Sequence, residues 1–547
     1  MNKSMLWFPA VLLGIGSANA QIAPNAGDVL RQVTPATAPQ SEPQSLPQIG
    51  GTQIEPPMKR LPSGPTMEVK AIRILGSRVL PVQELQDIVK DAIGKSLTLS
   101  ELEDVATRLT KHYRIKGYFV ARAYIPAQEV KDGALAIRVV EGNYGRFIIN
   151  NQSLADDDVV QGILDAIKDY DIVSLDTLER AMLIANETPG VRVTRADVMP
   201  GEKVGTSDFA VDTAATARRN GYALLDNYGS RFTGVNRLTF IADLNEPSGR
   251  GDRLSLSGMV STGKHLENGR LAYETLLKPN GLRGEVALAQ TRYSLGDSFE
   301  KLGVSGTATS LDASLGYPIK KTRNSMIDLN VSSNIKKLSV TTEPTKYVWS
   351  TTGGLGFREE GIALGTSGLT QAGFAVTVGA LRGETSTRSK FAKLTAYASR
   401  VALLPKDFKL TGQVRFQQSL NDKTLDGSEQ MGVSGSNGVM AYPSGELSGS
   451  NATFARLELS RPLPPIASTP GLSHQWSLFT SWGQASQPKV VSPTDRRREI
   501  SDVGLSWSGN FKNGAAKVTL AHRLQAAAPT SEPTPRNRLL TQLTWAF

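Results

Sequence analysis

The sequence predicts an α+β region near the amino terminus, followed by an antiparallel transmembrane β-barrel of about 16 strands. Three observations support this fold class. At 547 residues the chain is too long for one hydrophobic core. Helical and strand periodicities follow each other up to residue 207. From 208 to 547, short alternating segments recur between clusters of Gly, Ser and Thr.

The first 20 residues have the pattern of a secretory signal peptide. Lys3 supplies the positive charge, residues 6–15 form an apolar run, and Ala18-Asn19-Ala20 is a small-residue cleavage site. A buried amino-terminal helix is the alternative. We expect the mature chain to begin near Gln21 and to be exported. Because it has no cysteine, it carries no disulfide and no thiolate chemistry.

Two short regions precede the α+β part. Residues 21–35 contain a short helix, expected near Ala26 to Val33. Residues 36–65 are rich in Pro, Gln, Ser and Gly and lack apolar periodicity. Such a composition cannot bury a core, so we predict an extended linker.

Residues 66–143 are predicted to form the first α+β domain. A strand at 67–75 precedes a helix at 81–93, and the capping-box sequence Thr98-Leu99-Ser100-Glu101 opens a second helix. Its apolar residues share one face, namely Leu102, Val105, Ala106, Leu109 and Tyr113. A hairpin follows, with alternating positions at Phe119, Ala121, Ala123 and Ile125 and then at Ala136, Arg138 and Val140.

The β-α-α-β-β order of this domain recurs from residue 144, and we assign residues 144–207 to a second copy. A strand at 146–150 is followed by helices at 155–167 and 175–186. Strands at 191–198 and 208–212 complete the unit.

The region from 208 to 547 alternates between apolar and polar side chains in many short segments. Examples are Leu238 to Leu244, Val414 to Gln418, Leu457 to Leu459, Val518 to Leu524 and Leu543 to Phe547. In a soluble sandwich the apolar face would point inward, and in a membrane barrel it would face lipid. The barrel is favoured because the region is too long for one sandwich and gives an even strand number. It also ends in an alternating strand with Trp545 and Phe547.

The basic excess belongs to the barrel region. Residues 1–207 carry 22 Lys/Arg and 24 Asp/Glu, a net charge of −2, and residues 208–547 carry 39 and 27, a net charge of +12, which together give the +10 of the chain. A basic lumen and a solvated basic surface both fit this distribution. Nucleic acid is not expected as a partner of an exported chain.

We expect no enzyme, no cofactor and no metal. The four histidines, His112, His265, His474 and His522, are dispersed and form no HExxH motif. The sequence contains no phosphate-binding loop and no G-x-S-x-G nucleophile motif.

The stretch from Tyr113 to Gly145 closely resembles the first POTRA domain of two-partner secretion transporters, the TpsB family of hemolysin secretion/activation type. The family shows Y-R-x-x-G-Y, A-Y-I-P-x-Q, D-G and V-x-E-G in this order, as this chain does. POTRA domains would bind an unfolded substrate along sheet edges. The residues to which the resemblance gives this role are Tyr113, Arg114, Gly117, Tyr118, Tyr124, Pro126, Gln128, Glu141 and Gly142.

Other segments are similar to further parts of the family. The sequence NAGDVLRQ, with Asp28, Leu30 and Arg31, resembles the helix that plugs the barrel. Leu225 to Ser230 with Thr233-Gly234 resembles the first barrel hairpin. A long sixth extracellular loop is expected near 425–452, and the terminal residues Trp545 and Phe547 fit the final strand that the barrel-assembly machinery would act on during biogenesis.

Two motifs depart from the family. The sixth loop of the family carries V-R-G-Y/F, whereas this chain has Val439, Met440, Ala441 and Tyr442. The barrel-wall motif F-x-D-x-G is represented by Phe479, Ser481 and Gly483. Both members of an arginine–aspartate pair are therefore replaced, which avoids leaving one buried charge alone. We expect the loop to be held by apolar and hydroxyl contacts, with a weakened latch or a non-secreting relative as the alternatives.

The resemblance implies an outer-membrane protein of a Gram-negative bacterium with periplasmic POTRA domains. Its activity would be export of one partner protein, a large β-helical exoprotein of the TpsA kind, through the plugged barrel. The implied partners are that protein, outer-membrane lipid and the barrel-assembly machinery. An assembly factor of the same superfamily, a porin with a periplasmic module and, more distantly, a soluble adhesin are the alternatives.

Overall fold

The computed structural model of the protein describes residues 26–33, 47, 49–50, 65–130, 132–384, 388–491 and 495–547. Across these residues the chain forms two α+β domains, called the α/β domains below, and a closed barrel of 16 antiparallel strands, which confirms the predicted fold class. The expected signal peptide and most of the expected linker lie outside the described residues. Two elements precede the first domain, the helix α1 (Ala26–Gln32) and the short strand β1 (Ile49–Gly50).

The first domain contains two helices and five strands among the described residues. Its elements are β2 (Thr66–Glu68), β3 (Ala71–Leu75), α2 (Val82–Val89), β4 (Ser96–Thr98), α3 (Leu99–Ile115), β5 (Arg122–Tyr124) and β6 (Ala134–Val140). The strands β3, β6 and β5 form one sheet in that order. Helix α3 begins with the predicted capping box, because Thr98 N donates to Glu101 Oε2 at 2.7 Å and Glu101 N donates to Thr98 Oγ1 at 3.3 Å. The predicted apolar face of α3 is buried.

The prediction of which side chains face inward in the second strand of the hairpin is wrong. In β6 the buried side chains are Leu135, Ile137 and Val139, one position away from the alternation expected at 136, 138 and 140. Asp132 and Gly133 both adopt left-handed backbone, with φ of 54° and 71°, and this turn changes which residues face inward.

The second domain repeats the order and continues farther along the chain than expected. It consists of β7 (Asn143–Gln152), α4 (Asp157–Asp165), α5 (Leu175–Glu187), β8 (Val191–Pro200) and β9 (Thr206–Ala215). The sheet order is β1-β8-β9-β7. Because Phe209 and Val211 of β9 pack in the core of this domain, the barrel begins at Arg219 and not at the predicted residue 208.

The barrel strands pair in chain order around the sheet and are joined by connections of very different length. They are β10 (Arg219–Asp226), β11 (Arg237–Asn245), β12 (Arg253–Ser261), β13 (Leu266–Lys278), β14 (Leu282–Ser294), β15 (Ser305–Lys321), β16 (Ser325–Val340), β17 (Glu343–Ala363), β18 (Thr366–Gly383), β19 (Ser389–Leu403), β20 (Lys409–Ser419), β23 (Asn451–Pro462), β24 (Ser473–Ser486), β25 (Arg498–Phe511), β26 (Gly514–Arg523) and β27 (Asn537–Ala546). A short strand pair, β21 (Met431–Gly432) and β22 (Ser448–Gly449), lies between β20 and β23. The barrel closes where Trp545 of β27 pairs with Ala223 of β10.

The side chains of the barrel alternate with the apolar face outward. In β11, Leu238 and Phe240 are 44% and 43% exposed, whereas Arg237 and Thr239 are buried. A soluble sandwich would have the reverse arrangement, so the alternation identifies a lipid-facing surface around a polar interior. Among the described residues, no helix has the length and apolar character needed to cross a membrane.

Candidate functional site in the barrel lumen

The segment between β20 and β23, residues 420–450, folds back into the barrel and is called the sixth loop here. Val439, Met440, Ala441 and Tyr442, the loop tip, are all buried. They share an apolar cluster with Phe454 and Phe479 of the barrel wall. The predicted loop motif therefore lies inside the lumen.

The predicted wall motif faces the loop on β24. Phe479 belongs to the same apolar cluster as Met440, and Ser481 is buried. A Cβ atom at Gly483 would lie 2.9 Å from Cβ of Val433, so glycine is what allows the loop to approach the wall here. The structure thus brings the loop motif and the wall motif together.

The expectation that only apolar and hydroxyl contacts hold the loop is wrong, because wall charges bind its main chain. Arg456 of β23 donates from Nε to Ser481 Oγ at 3.0 Å and from Nη2 to the Gly438 carbonyl at 3.2 Å. Asp502 of β25 is fully buried, and its Oδ2 accepts from Ala441 N at 2.9 Å. A loop that enters the lumen must have its N–H and C=O groups satisfied there, and these two side chains supply partners that the loop motif itself lacks.

More wall residues hold the loop on both sides of the tip. Arg538 of β27 donates from Nη1 to the Tyr442 carbonyl at 2.7 Å. Glu446 of the loop pairs with Arg498 Nη2 at 2.7 Å and also accepts from Thr530 N at 2.9 Å. The loop is therefore fixed by charged groups from several strands.

Helix α1 lies in the lumen beside the first barrel hairpin. Val29 is fully buried in a cluster with Phe232. At the end of the helix, Gln32 Oε1 accepts from Thr233 Oγ1 at 2.7 Å, and the Gln32 carbonyl accepts from Arg237 Nη1 at 2.6 Å. Arg237 is itself paired with Asp226 at 2.8 Å. The helix therefore occupies the channel as a plug would.

Of the three predicted plug residues, the structure describes one side chain. Leu30 packs against an apolar cluster that contains Leu338 of β16 and Leu425 of the sixth loop. The side chains of Asp28 and Arg31 lie outside the described part of the chain.

Two residues predicted to bind substrate are buried inside the first α/β domain. Glu141 Oε1 accepts from Arg78 N at 2.8 Å, from Val79 N at 3.0 Å and from the Tyr113 hydroxyl at 3.1 Å. Burial, together with the Glu141 charge, raises the pKa of Tyr113 to about 12. Tyr113 and Glu141 hold the domain together and offer no surface to a second chain.

Other predicted residues also complete the domain. The Gln128 side-chain amide makes the two hydrogen bonds that a neighbouring strand would make. It donates to the Ala136 carbonyl at 2.8 Å and accepts from Ala136 N at 2.8 Å. The Gly117 carbonyl accepts from Leu175 N of the second domain at 2.8 Å. The Tyr118 ring packs edge-on against Tyr113, with centroids 6.1 Å apart.

The remaining predicted residues of this domain lie near its surface or at a turn. Tyr124 is 40% exposed on β5, which is an edge strand of its sheet. Pro126 follows that strand, and Arg114 lies half-buried on α3. Gly142 has a φ of 86°, a left-handed conformation suited to glycine, at the start of the second domain.

A buried acidic group lies where the second domain meets the barrel. Glu246 follows β11, accepts from Gly251 N at 2.9 Å through Oε2, and packs beside Gly190 of the second domain. Burial raises the pKa of Glu246 to about 7, and the nearby Asp252 carboxylate contributes in the same direction. The junction therefore contains a carboxyl group that titrates near neutral pH.

Comparison with known protein families identifies both parts of the molecule. Residues 67–142 match the model of the POTRA domain, ShlB-type, and residues 205–501 match the model of the haemolysin secretion/activation protein ShlB/FhaC/HecB. The chain belongs to the ShlB/FhaC/HecB family. It is an outer-membrane transporter of the two-partner secretion type, with its POTRA domains in the periplasm.

Individual transporters and a solved structure are also similar to this chain. The heme/hemopexin transporter protein HuxB of Haemophilus influenzae is 28% identical over 434 residues, which cover 76% of this chain and 75% of HuxB. The outer membrane transporter CdiB of Dickeya dadantii is 24% identical over 194 residues, covering 36% of this chain and 34% of CdiB. The structure of CdiB from Escherichia coli shares the fold, with a TM-score of 0.74 at 17% identity, covering 92% of this chain and 94% of that one.

Proposed function

We propose that this transporter exports one large partner exoprotein, of the β-helical TpsA kind, from the periplasm to the cell surface. The observation that carries the proposal is the filled lumen, where α1 and the sixth loop meet inside a barrel with two α/β domains at its mouth. A channel closed by a helix and a loop that are not part of its wall suits a conduit that opens for a passenger. The name of HuxB makes a passenger connected with heme or hemopexin the first candidate.

The passenger would first bind the POTRA domains as an extended chain. Strand addition needs an open sheet edge and makes main-chain hydrogen bonds that depend little on side-chain sequence. Strand β5 lies at a sheet edge, and Tyr124 on it is exposed. We therefore assign passenger contact to Tyr124 and its edge, and assign a folding role to Tyr113 and Glu141.

An assembly factor that inserts other barrels is the second candidate. The fold of BamA from Haemophilus ducreyi is similar, with a TM-score of 0.51 at 13% identity. The described residues contain two α/β domains, whereas assembly factors commonly have more POTRA domains.

Deletion of the gene distinguishes these functions whatever the identity of the passenger. Proteins in the medium, on the cell surface and in the outer membrane would be quantified by mass spectrometry with and without the gene. Export predicts the loss of one large protein from the surface or medium, with other outer-membrane barrels unchanged. A general fall in outer-membrane barrels would contradict the proposal and favour an assembly factor. If none of the three fractions changes, the export proposal is wrong.

A further inference from the structure

The plug helix rests on one short segment of the sixth loop, Leu425–Glu429, which we call the platform. A Cβ atom at Gly27 would lie 2.5 Å from Ser428 N and closer still to the carbonyl group of Gly427. Leu30, one turn along the helix, shares an apolar cluster with Leu425. The helix backbone therefore lies directly against the platform backbone, and only glycine at position 27 permits this distance.

The platform is fixed to the barrel wall through Glu429, by its buried carboxylate and by its main-chain carbonyl. Glu429 lies between two lysines, with Oε1 at 2.8 Å from Lys336 Nζ and Oε2 at 2.9 Å from Lys393 Nζ. The Glu429 carbonyl accepts from Lys393 Nζ at 2.8 Å and from Gln417 Nε2 at 3.1 Å. The three partners come from β16, β19 and β20, so a single loop residue is held by three strands.

The platform also has internal order of its own. Asp426 Oδ1 accepts from Ser428 N at 3.0 Å, and Gln430 Nε2 donates to the Leu425 carbonyl at 2.9 Å. Because these bonds link Leu425 to the residue that follows Glu429, we expect the segment to move as a unit. Breaking its attachment to the wall would therefore displace the surface that Gly27 touches.

We propose that Glu429 positions the plug through the platform, in addition to the bonds that Gln32 makes to the first barrel hairpin. Its two lysine partners hold the platform against the wall, and the platform holds α1 in the lumen. This inference rests on the proposed function, because it gives the plug a means of retention inside the export conduit. The loop tip is anchored separately, by Arg456, Asp502 and Arg538 on β23, β25 and β27. Loss of the Glu429 charge should therefore weaken the seating of the plug, which then relies on the Gln32 bonds to Thr233 and Arg237, while the tip remains in place.

The experiment follows the plug with a single thiol. The chain contains no cysteine, and Val29 is fully buried, so Val29→Cys reacts with a maleimide only after the helix leaves its site. The purified full-length protein would carry Val29→Cys alone or with a second change. Glu429→Gln should raise the labelling rate about tenfold, because it leaves two partly buried lysines without their carboxylate. Asp422→Asn removes an exposed charge from the same loop and should leave the rate unchanged.

Gly27→Ala tests the same contact from the helix side. Alanine favours helix formation, so faster labelling would report the collision with Gly427 and not a weaker helix. If both changes act through the platform, the combined variant should label less rapidly than the product of the two single effects predicts. An unchanged rate in a Glu429→Gln protein that folds, shown by heat-modifiable mobility on gels, overturns the proposal. If Glu429→Gln does not fold, an unchanged rate in Gly27→Ala overturns it instead.

The labelling assay is independent of export. It uses no passenger, so accelerated labelling supports the role of Glu429 even if gene deletion leaves the secreted proteins unchanged. Conversely, demonstrated export with unchanged labelling removes the role of Glu429 and leaves the proposed function intact.

Discussion

Replacing Asp502 with alanine should release the loop tip while leaving the barrel assembled. The change removes the acceptor of the Ala441 N–H, which Asp502 bonds at 2.9 Å in a fully buried position. A buried donor left without a partner costs about 1–3 kcal/mol. Loss of the negative charge that interacts with Arg456 adds roughly 1 kcal/mol. The seated loop should thus lose about 3 kcal/mol, which corresponds to roughly 100-fold in the population of the displaced state.

Maleimide labelling of Met440→Cys would measure this displacement. Met440 is 7% exposed, and the chain has no other thiol. Asp502→Ala should accelerate labelling by roughly 100-fold. Asp502→Asn retains an oxygen that can accept from Ala441 N and should have a clearly smaller effect. Equal rates in the parent protein and Asp502→Ala would refute the reasoning, as would equal effects of the alanine and asparagine variants.

Three further predictions concern the latch, the junction and the first domain. The double change Met440→Arg and Ser481→Asp should not lengthen the closed times of the channel in planar bilayers relative to wild type. The reason is that Arg456 already donates to residue 481 and would compete with the new arginine for the new carboxylate. Longer closed times would contradict this prediction. For Glu246, the folded-state pKa of about 7 lies above the ordinary 4.5, so its stabilising effect is complete below pH 4.5 and is lost as pH rises through 7. Between pH 5 and pH 8 the free energy of unfolding should therefore fall by up to about 3 kcal/mol more in wild type than in Glu246→Gln. Melting temperatures at the two pH values would show the larger fall in wild type. Glu141→Ala should reduce the protection of the first domain in hydrogen exchange by about 2–4 kcal/mol, since two partly buried N–H groups and the buried Tyr113 hydroxyl lose this acceptor. Unchanged protection would show that the network is not needed.

The parts of the fold that sequence can predict are those with a strong local signal. Leu238 and Arg237 point to opposite faces of one strand, and this alternation is visible in the sequence and confirmed in the structure. The loop motif at Val439 to Tyr442 can be located because the residues that flank it match a known family and so align this segment with the family's motif. The second domain was predicted to end at residue 207, before β9, and this is wrong. The strand β9 and the first barrel strand have the same alternating pattern, and only the packing of Phe209 in the domain core assigns β9 to the domain.

The contacts of the site depend on residues that are far apart in sequence. Arg456 and Asp502 are two of many polar residues that face the barrel interior. Their neighbouring sequence does not show that they bind the main chain of the sixth loop. Gly27 and Gly427 are separated by 400 positions, so their contact follows from the folded lumen alone. Substrate binding was predicted for Glu141 because a sequence motif does not show whether a carboxylate is buried in its domain or exposed on the surface.

Conductance in planar bilayers tests the central claim, a conduit closed by α1 and the sixth loop, most directly. The purified wild-type protein would be compared with a variant that lacks residues 21–35. The account predicts a largely closed wild type with brief openings, and a variant whose conductance is larger and more sustained because the Val29 and Gln32 contacts are gone. The same constant conductance from both proteins, or none from either, would contradict it.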